Sequence, residues 1–179
     1  DVATDYIAGA HFLHLSAISQ AISDNARRAC NTAIDAARTA GVKVSYDSNL
    51  RLRLWDIETA RKTINATFAR CDVALPSLED SCQLTGLQSP DSIVDFYLGL
   101  GPSLVALTLG GDGALIASRE HRVHIPPYKI EAVDATGAGD TFDGAFLARL
   151  VAGDSPEAAG RYANVAAALS TRGYGAVAP

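Results

Sequence analysis

The chain has 179 residues, which is enough for one domain or for a large part of a longer one. Hydrophobic residues make up 48% of it and charged residues 20%, so the composition excludes a disordered chain. Its 15 Lys and Arg residues are outnumbered by 20 Asp and Glu, which leaves a net charge of -5. Because it has no basic stripe, we expect neither a nucleic-acid nor a membrane partner, and any bound phosphate must be held locally by backbone amides.

The predicted elements alternate between strand and helix. A short strand and the turn after it are predicted over 11–18, and further strands over 42–47, 72–75, 104–109, 114–118 and 122–125. Helices are predicted over 23–40, 56–70, 77–85, 89–101, 138–152 and 155–171. Ser23 is the predicted N-cap of the first helix and Gly41 its C′ residue. This alternation predicts an α/β fold whose mostly parallel sheet is covered by helices on both faces, with an antiparallel extension at 110–125.

The cysteines and the N-terminal residues are informative about the cellular compartment in which the protein is expected. Cys30, Cys71 and Cys82 stand in dissimilar surroundings and form no C-x-x-C pair, which predicts reduced thiols in a cytoplasmic protein. No apolar run approaches the roughly 20 residues of a membrane-spanning helix. Residues 1–6 do not resemble a signal peptide, and the lack of Met at residue 1 is compatible with a start inside a longer chain.

The most informative segment is V-D-A-T-G-A-G-D over 133–140, where a strand is predicted to end and a helix to begin. Gly137 and Gly139 allow backbone N–H groups to approach an anion, and the helix N-terminus adds partial positive charge. Asp140, in the first helical turn, would be a base for a substrate hydroxyl. A plain turn with Asp140 as a helix cap is the alternative that the spacing leaves open. Neither the P-loop pattern nor G-x-G-x-x-G is present, since Phe142 occupies the place of the third glycine.

The longer segment D-A-T-G-A-G-D-T-F-D-G-A-F over 134–146 resembles the C-terminal signature of the ribokinase-like (PfkB) carbohydrate kinases. The resemblance implies a three-layer α/β/α fold and ATP with Mg²⁺ as the phosphoryl donor. It implies that the amides of Gly137, Ala138 and Gly139 form an anion hole and that Asp140 deprotonates the acceptor hydroxyl. In some members, positions that match Asp134 and Thr136 lie near a monovalent cation, so K⁺ is a further expected ion.

Two other segments resemble the nucleotide-binding part of this family. T-L-G-G-D-G-A over 108–114 resembles a strand-turn-strand that lies along the nucleotide, which assigns Thr108, Gly110 and Gly113 to that site. A turn with no ligand is the alternative for Gly113. A-N-V-A-A-A over 163–168 resembles the helix beside the adenine, where Asn164 would contact the nucleotide. The alternative there is an Ala-rich packing helix with one exposed Asn.

The segment P-S-L-E-D over 76–80 stands where many members carry N-x-x-E, a motif linked to Mg²⁺ and phosphate binding. Ser77 replaces the Asn and Asp80 replaces the Glu. The resemblance therefore assigns Ser77 to the nucleotide and Asp80 to Mg²⁺, through water. S-x-x-D is also a capping-box pattern, so capping alone is the alternative.

The segment D-S-N-L-R-L-R-L-W over 47–55 follows a strand, at the sheet edge where α/β proteins bind ligands. It resembles the 2-keto-3-deoxygluconate kinases, whose acceptor is a sugar acid. The resemblance assigns Arg51 to the carboxylate of the acid or to the transferring phosphates, and Asn49 and Asp140 to the sugar. Arg53 is a second candidate. The alternative is that Arg51 forms a structural ion pair and Trp55 fills the core.

The sequence thus predicts ATP-dependent phosphorylation of a sugar acid, 2-keto-3-deoxygluconate being converted to its 6-phosphate. The alternatives are a nucleotide-binding fragment without activity and a kinase for a neutral sugar or nucleoside. Residues 1–179 resemble only the C-terminal, nucleotide-binding part of a single kinase domain, without the N-terminal part and its β lid. The expected partners are a small sugar acid and ATP, and a homo-oligomer is left open. The H-x-x-H pairs at 11–14 and 121–124 predict no zinc site, because i and i+3 face opposite ways in a strand.

Overall fold

The computed structural model describes residues 2–177, and the chain divides after Leu107 into two compact units. The first unit contains α1 (Thr4–Ala8), β1 (Phe12–Ser16), α2 (Ala17–Ala21), α3 (Asp24–Thr39), β2 (Lys43–Asp47), α4 (Ile57–Phe68), β3 (Val73–Leu75), α5 (Leu78–Thr85), α6 (Pro90–Leu100) and β4 (Leu104–Thr108). The second unit contains a 3₁₀ turn (Gly110–Asp112), β5 (Ala114–Ala117), β6 (Arg122–Ile125), α7 (Ala138–Val151) and α8 (Pro156–Ser170). That residues 1–179 form part of a single kinase domain stays a prediction.

Strands β1 to β4 of the first unit pair in chain order and in parallel. Asp47 pairs with Ser16 on one side and with Leu75 on the other, so three strands end at one edge of the sheet. The central residues of β2 and all three residues of β3 are buried, as in parallel strands that are covered on both faces. This register brings the connections that follow β1, β2 and β3 to the same edge.

An aromatic cluster forms much of the core of the first unit. The ring of Phe68 lies 5.2 Å from that of Tyr46 and 4.7 Å from that of Tyr97, between ring centres. Burial raises the pKa of Tyr97 to about 12 and raises that of Tyr46 strongly. Both hydroxyls therefore stay protonated, and the Tyr46 hydroxyl donates a hydrogen bond to the Oε1 atom of the buried Gln20.

Local sequence signals account for most element boundaries. Ser23 Oγ accepts the Ala26 N–H at 3.1 Å, and Gly41 has a φ of 74° after the end of α3, which confirms both predicted caps. The short strand predicted within 11–18 is present as β1, but the helix α2 follows it at Ala17 where a turn was predicted. Helices α1 and α2 were not predicted, since five residues are too few to display a helical period.

The second unit contains the predicted antiparallel pair, in which β5 and β6 align Ala114 with Ile125. Helix α8 packs closely on this pair, because a Cβ at Gly160 would lie 2.8 Å from the side chain of Ile116. The strand predicted to end near 133 is absent, since residues 126–137 form no strand. Two successive prolines, Pro126 and Pro127, directly follow β6, and proline has no N–H to donate to a strand ladder, which accounts for the end of β6 at Ile125.

Two further expectations concern cysteines and membranes. Cys30, Cys71 and Cys82 are all free thiols, as predicted. Burial raises the pKa of Cys71 to about 12, which makes this thiol unreactive. Among the helices within residues 2–177, none has both the length and the hydropathy that crossing a bilayer requires.

Candidate active site

The glycine corner, residues 134–140, turns the chain from an extended connection into α7. Gly137 is the N-cap of α7 and has a φ of 78°, in the left-handed region that glycine adopts without strain. A Cβ at Gly137 would lie 2.9 Å from the Cβ of Ala176, so the position also lacks room for a side chain. A Cβ at Gly139, by contrast, would meet nothing within 4 Å. The corner is therefore closed on one side and open in front of the helix.

Asp134 holds this corner in shape. One of its carboxylate oxygens accepts the backbone N–H of Thr136 at 2.9 Å and the hydroxyl of the same residue at 2.7 Å. The other oxygen accepts the N–H of Gly175 at 2.9 Å. These bonds, with that from Gly175 the strongest cause, lower the pKa of Asp134 below its ordinary value. The same side chain thus shapes the start of the corner and fixes the C-terminal segment to it.

The N-terminus of α7 is the part of the corner with free hydrogen-bonding capacity. Its first turn has no side-chain cap, and the first intrahelical bond runs from the Thr141 N–H to the Gly137 carbonyl. The Ala138 N–H already donates to the Ala135 carbonyl at 3.1 Å. The amides of Gly139 and Asp140 are therefore left to meet an anion. The anion hole predicted at 137–139 stays a prediction, and the Asp140 amide is a further N–H at this helix start without an acceptor among the described residues.

The Asp140 side chain is exposed and does not cap α7. Among the hydrogen bonds and ion pairs of residues 2–177, none involves its carboxylate. The alternative in which Asp140 is only a helix cap is therefore wrong. A carboxylate with no protein partner, next to uncapped amides, is chemically available to accept a proton.

The two glycines of the corner lead to opposite expectations on substitution. We expect Gly137→Ala to lower the free energy of unfolding by at least about 1–2 kcal/mol, the cost of a left-handed residue with a side chain. Gly139→Ala should leave it unchanged or raise it by roughly 0.5–1 kcal/mol, because alanine is the better helix residue. Thermal unfolding of the two variants and of the unaltered chain, measured under the same conditions, gives the difference in stability. Equal stability of both variants would contradict this description of the corner.

The Asp134 bond to Gly175 should respond to acid. Because its pKa is lowered from 3.8, the carboxylate stays charged above that pH, and the bond is lost only as the pH falls through the lowered pKa. We expect the NMR shift of the Gly175 amide proton to titrate with a midpoint below 3.8 and to be flat at higher pH. In Asp134→Asn this titration should vanish. A midpoint at or above the ordinary value would show that the bond is not formed.

A cleft of about 490 Å³ lies in the second unit and reaches the glycine corner at Ala135 and Ala138. Its wall is lined by Gly110, Gly111, Pro127, Tyr128, Lys129, Ile130, Ala132, Asn164, Ala167, Ala168 and Thr171. The lining is mostly apolar, with a few polar groups, which is the usual character of a small-molecule site. The 127–130 wall was missed by sequence reasoning, and the only sequence signal for it was the double proline that excludes a strand there.

The predicted nucleotide residues differ in their relation to this cleft. Gly110 and Asn164 line it, and the Asn164 side chain donates to the Pro126 carbonyl at 2.8 Å. Thr108 ends β4 and is not part of the lining. Gly113 is explained by packing, because a Cβ there would lie 2.1 Å from the Ile125 carbonyl oxygen. Asn164 therefore also holds the 126–130 wall in place.

The acceptor loop, residues 48–55, follows β2 in the first unit. Arg51 is exposed, and its guanidinium donates only to the neighbouring Leu50 carbonyl, at 2.9 Å. Within residues 2–177 it forms no ion pair, so the structural ion pair proposed as its alternative role is wrong. Two buried polar atoms of the loop, Asn49 Oδ1 and Trp55 Nε1, have no hydrogen-bond partner in the described part of the chain. Within the described residues the loop therefore has two exposed arginines without an acidic partner, Arg51 and Arg53, and two buried polar atoms without a hydrogen bond.

Ser77 and Asp80 begin α5 beside this loop. Ser77 Oγ accepts the Asp80 N–H at 3.2 Å, which is the N-cap bond of the predicted capping box. The Asp80 carboxylate does not complete that box, because it accepts hydrogen bonds from the acceptor loop instead. Over residues 2–177, no group of three or more His, Cys, Asp or Glu side chains is placed to hold a metal ion.

A parallel α/β sheet and a glycine corner that leads into an uncapped helix define a class of protein that binds phosphate through backbone amides. Beside those amides lies the Asp140 carboxylate, which bonds to no other residue within 2–177. The chain belongs to the PfkB family of carbohydrate kinases: the model of the "pfkB family carbohydrate kinase" matches residues 1–179. The family resemblance read from the sequence is thereby confirmed.

Curated relatives include kinases for both acidic and neutral sugars. The chain is 31% identical to a 2-dehydro-3-deoxygalactonokinase of Haloferax volcanii, covering 99% of this chain and 57% of the relative. It is 35% identical to fructokinase-1 of Oryza sativa subsp. japonica, covering 97% and 56%. It is 31% identical to a 2-dehydro-3-deoxygluconokinase of Bacillus subtilis, covering 96% and 53%. The chain therefore spans little more than half the length of these relatives.

Solved structures show the same fold. A PfkB protein from Polaromonas sp. JS666 superposes with a TM-score of 0.89 at 30% identity, over 96% of this chain and 57% of that one. Aminoimidazole riboside kinase from Salmonella enterica, solved with aminoimidazole riboside and an ATP analogue, superposes with a TM-score of 0.85 at 30% identity, over 92% and 57%. The ribokinase-like fold predicted from the sequence is thus confirmed.

Proposed function

We propose that the protein to which this chain belongs transfers the γ-phosphoryl group of ATP to a hydroxyl of a sugar acid. The proposed acceptor is 2-keto-3-deoxygluconate and the proposed product is its 6-phosphate. One observation carries the phosphoryl-transfer part of the proposal: the uncapped start of α7 and the unpartnered carboxylate of Asp140 occur in the same helical turn. Membership of a family of carbohydrate kinases supports the same reaction.

The proposed mechanism assigns one task to each part of the corner. Asp140 accepts the proton of the attacking hydroxyl, which makes the oxygen a better nucleophile. The amides at the start of α7, with those of Gly137, Ala138 and Gly139 as the hole expected from the family, stabilise the charge on the transferred group. Gly139 leaves the space in front of them open, since among the described residues no atom outside its own stretch of helix backbone lies within 4 Å of where its Cβ would be. Asp134 keeps the corner in this shape through its bonds to Thr136 and Gly175.

The cleft in the second unit is the proposed nucleotide site. Its volume of about 490 Å³ and its apolar wall suit a purine base, and the Salmonella relative was solved with an ATP analogue. Gly110 and Asn164 belong to this wall, and we keep Thr108, Gly113 and Ser77 as nucleotide residues from the family resemblance. When bound, Mg²⁺ would neutralise charge on the phosphates.

The chain offers different numbers of ligands to the two proposed metal ions, Mg²⁺ and K⁺. One Asp80 oxygen already accepts two hydrogen bonds, and no cluster of three metal-binding side chains occurs within residues 2–177, so a Mg²⁺ ion would depend largely on the nucleotide for ligands. For K⁺, we keep Asp134 and Thr136 as the proposed site. The lowered pKa of Asp134 supports this proposal, because the carboxylate stays negatively charged.

The acceptor loop supports an acidic acceptor. Arg51 is exposed and has no acidic partner in the described chain, so its guanidinium is available to a carboxylate of the substrate. Asn49 is the proposed contact to the sugar hydroxyls, since its Oδ1 atom has no hydrogen-bond partner among residues 2–177. Relatives named for two different 2-dehydro-3-deoxy sugar acids are in line with this choice.

A neutral sugar is the second candidate, because the rice fructokinase is 35% identical over 97% of the chain. Release of ADP, measured for the complete protein with 2-keto-3-deoxygluconate, fructose, ribose and adenosine, separates the two. We expect the largest kcat/KM for the sugar acid. A larger kcat/KM for fructose would show that the acceptor is a neutral sugar. No turnover with any of the four acceptors would favour a nucleotide-binding protein without this activity.

A further inference from the structure

The carboxylate of Asp80 is aimed at the backbone of the acceptor loop. Its Oδ2 atom accepts the Leu50 N–H at 3.0 Å and the Ser48 hydroxyl at 3.4 Å. Ser48 is fully buried and Leu50 is 6% exposed, so these bonds lie at the base of the loop, away from solvent. A buried backbone N–H needs such a partner, and a carboxylate is a stronger acceptor than a neutral oxygen. Asp80 therefore fixes the part of the loop that directly precedes Arg51.

A second carboxylate holds the start of the same loop. Asp47 Oδ1 accepts the Asn49 N–H at 2.9 Å, and Asp47 Oδ2 accepts the Ser16 hydroxyl at 3.1 Å. Asp47 belongs to β2, whereas Asp80 belongs to α5, which follows β3. Because β2 and β3 are parallel and pair Asp47 with Leu75, both acids arrive at one sheet edge. The loop is thus held at two consecutive amides by acids from two strand-helix units.

Capping of α5 does not explain the Asp80 carboxylate. The cap is provided by Ser77 Oγ, which accepts the N–H of Asp80 at 3.2 Å. In a complete capping box the acid at this position returns a bond to the N–H of the capping residue. Here the carboxylate turns to Ser48 and Leu50 instead. The Asp80 carboxylate therefore does not cap α5, and the hydrogen bonds it accepts come from the acceptor loop.

We propose that Asp80 is a positioning residue that sets the acceptor loop, and with it the place of Arg51, for binding of the acidic acceptor. This inference rests on the proposed function, in which Arg51 receives the substrate carboxylate. It differs from a metal-binding role, because the bonded oxygen faces two donors of this chain. It also explains why the shorter acid occurs here: glutamate would extend the carboxylate by one C–C bond, about 1.5 Å, into the loop.

Kinetics of Asp80 variants in the complete protein test the proposal. We expect Asp80→Ala to raise the KM for the sugar acid roughly tenfold, while the KM for ATP and the half-saturating Mg²⁺ concentration stay unchanged. Asp80→Asn should raise the acceptor KM less than Asp80→Ala does, since the amide oxygen of asparagine can still accept a hydrogen bond from the loop. Asp80→Glu should also raise the acceptor KM, although it restores the acid of the N-x-x-E pattern. Glu79→Gln, an exposed neighbour, is the matched control.

Two results would overturn the proposal. One is a rise in the Mg²⁺ requirement of Asp80→Ala with an unchanged acceptor KM, which indicates a metal-binding role. The other is improved Mg²⁺ use by Asp80→Glu with an undisturbed acceptor KM. Either would return Asp80 to the role that the family pattern implies.

A measurement without turnover separates this proposal from the proposed function. Amide hydrogen exchange at Leu50 should be roughly tenfold faster in Asp80→Ala than in the unaltered protein and the Glu79→Gln control. Unchanged exchange would show that Asp80 does not hold the loop, whatever the substrate is. Faster exchange in a protein that phosphorylates no sugar acid would support the anchoring of the loop and remove the proposed function, and with it the acceptor-binding role.

Discussion

In the Asp140→Asn variant of the complete protein, we expect kcat to fall by roughly 10²–10⁴, the usual contribution of a general base. The amide of asparagine keeps the size of the side chain but cannot accept the proton of the acceptor hydroxyl. Because the Asp140 carboxylate bonds to no other residue within 2–177, its replacement should leave the fold undisturbed. Steady-state ADP release gives kcat, and calorimetric titration with ATP shows whether nucleotide binding is retained.

A matched control is Asp24→Asn, which changes an exposed acid in the first turn of α3. This variant should retain full activity, because its ion pair with Arg27 is on the surface. Near-normal turnover of Asp140→Asn would remove Asp140 from the mechanism. Loss of ATP binding together with turnover would mean that Asp140 acts on the nucleotide rather than on the acceptor.

The second large effect is expected at Arg51. Loss of a hydrogen-bonded charge partner costs about 1.5–3 kcal/mol. Arg51→Ala should therefore raise the KM for 2-keto-3-deoxygluconate roughly 10–100-fold and leave the KM for ATP unchanged. The KM for fructose, which has no carboxylate, should stay unchanged in this variant. Parallel kinetics with the acidic and the neutral acceptor measure this difference.

Two neighbouring substitutions sharpen this test. Arg53→Ala replaces the other exposed arginine of the acceptor loop and should have little effect if Arg51 binds the acid. Arg51→Lys should recover only part of the affinity, because an ammonium group cannot form the two parallel bonds of a guanidinium. If Arg53→Ala has the larger effect, the carboxylate is bound by Arg53. If Arg51→Ala lowers kcat with both acceptors, Arg51 instead shields the transferring phosphates.

Prediction from the sequence worked best where a short segment carries its own conformation. The left-handed φ of Gly137 and of Gly41 follows from glycine alone, and Ser23 and Ser77 cap their helices through bonds to residues three positions along. It failed where a segment was too short for a period, as in α2, and in the strand expected before 133, for which nothing local in 128–133 gives the reason. The sequence pattern placed Asp140 in the first turn of a helix, but it did not show that the Asp140 N–H has no acceptor among the described residues.

The sequence by itself therefore determined the α/β class, the glycine corner, its acid and the arginine of the acceptor loop, because each depends on residues that are close along the chain. Only the tertiary structure revealed that Asp134 binds Gly175, 41 residues away, that Asn164 donates to Pro126, 38 residues away, and that Asp80 binds Leu50, 30 residues away. Such bonds depend on which strand and helix ends meet in the folded unit. Packing decides that, and the spacing of residues along the chain does not record it.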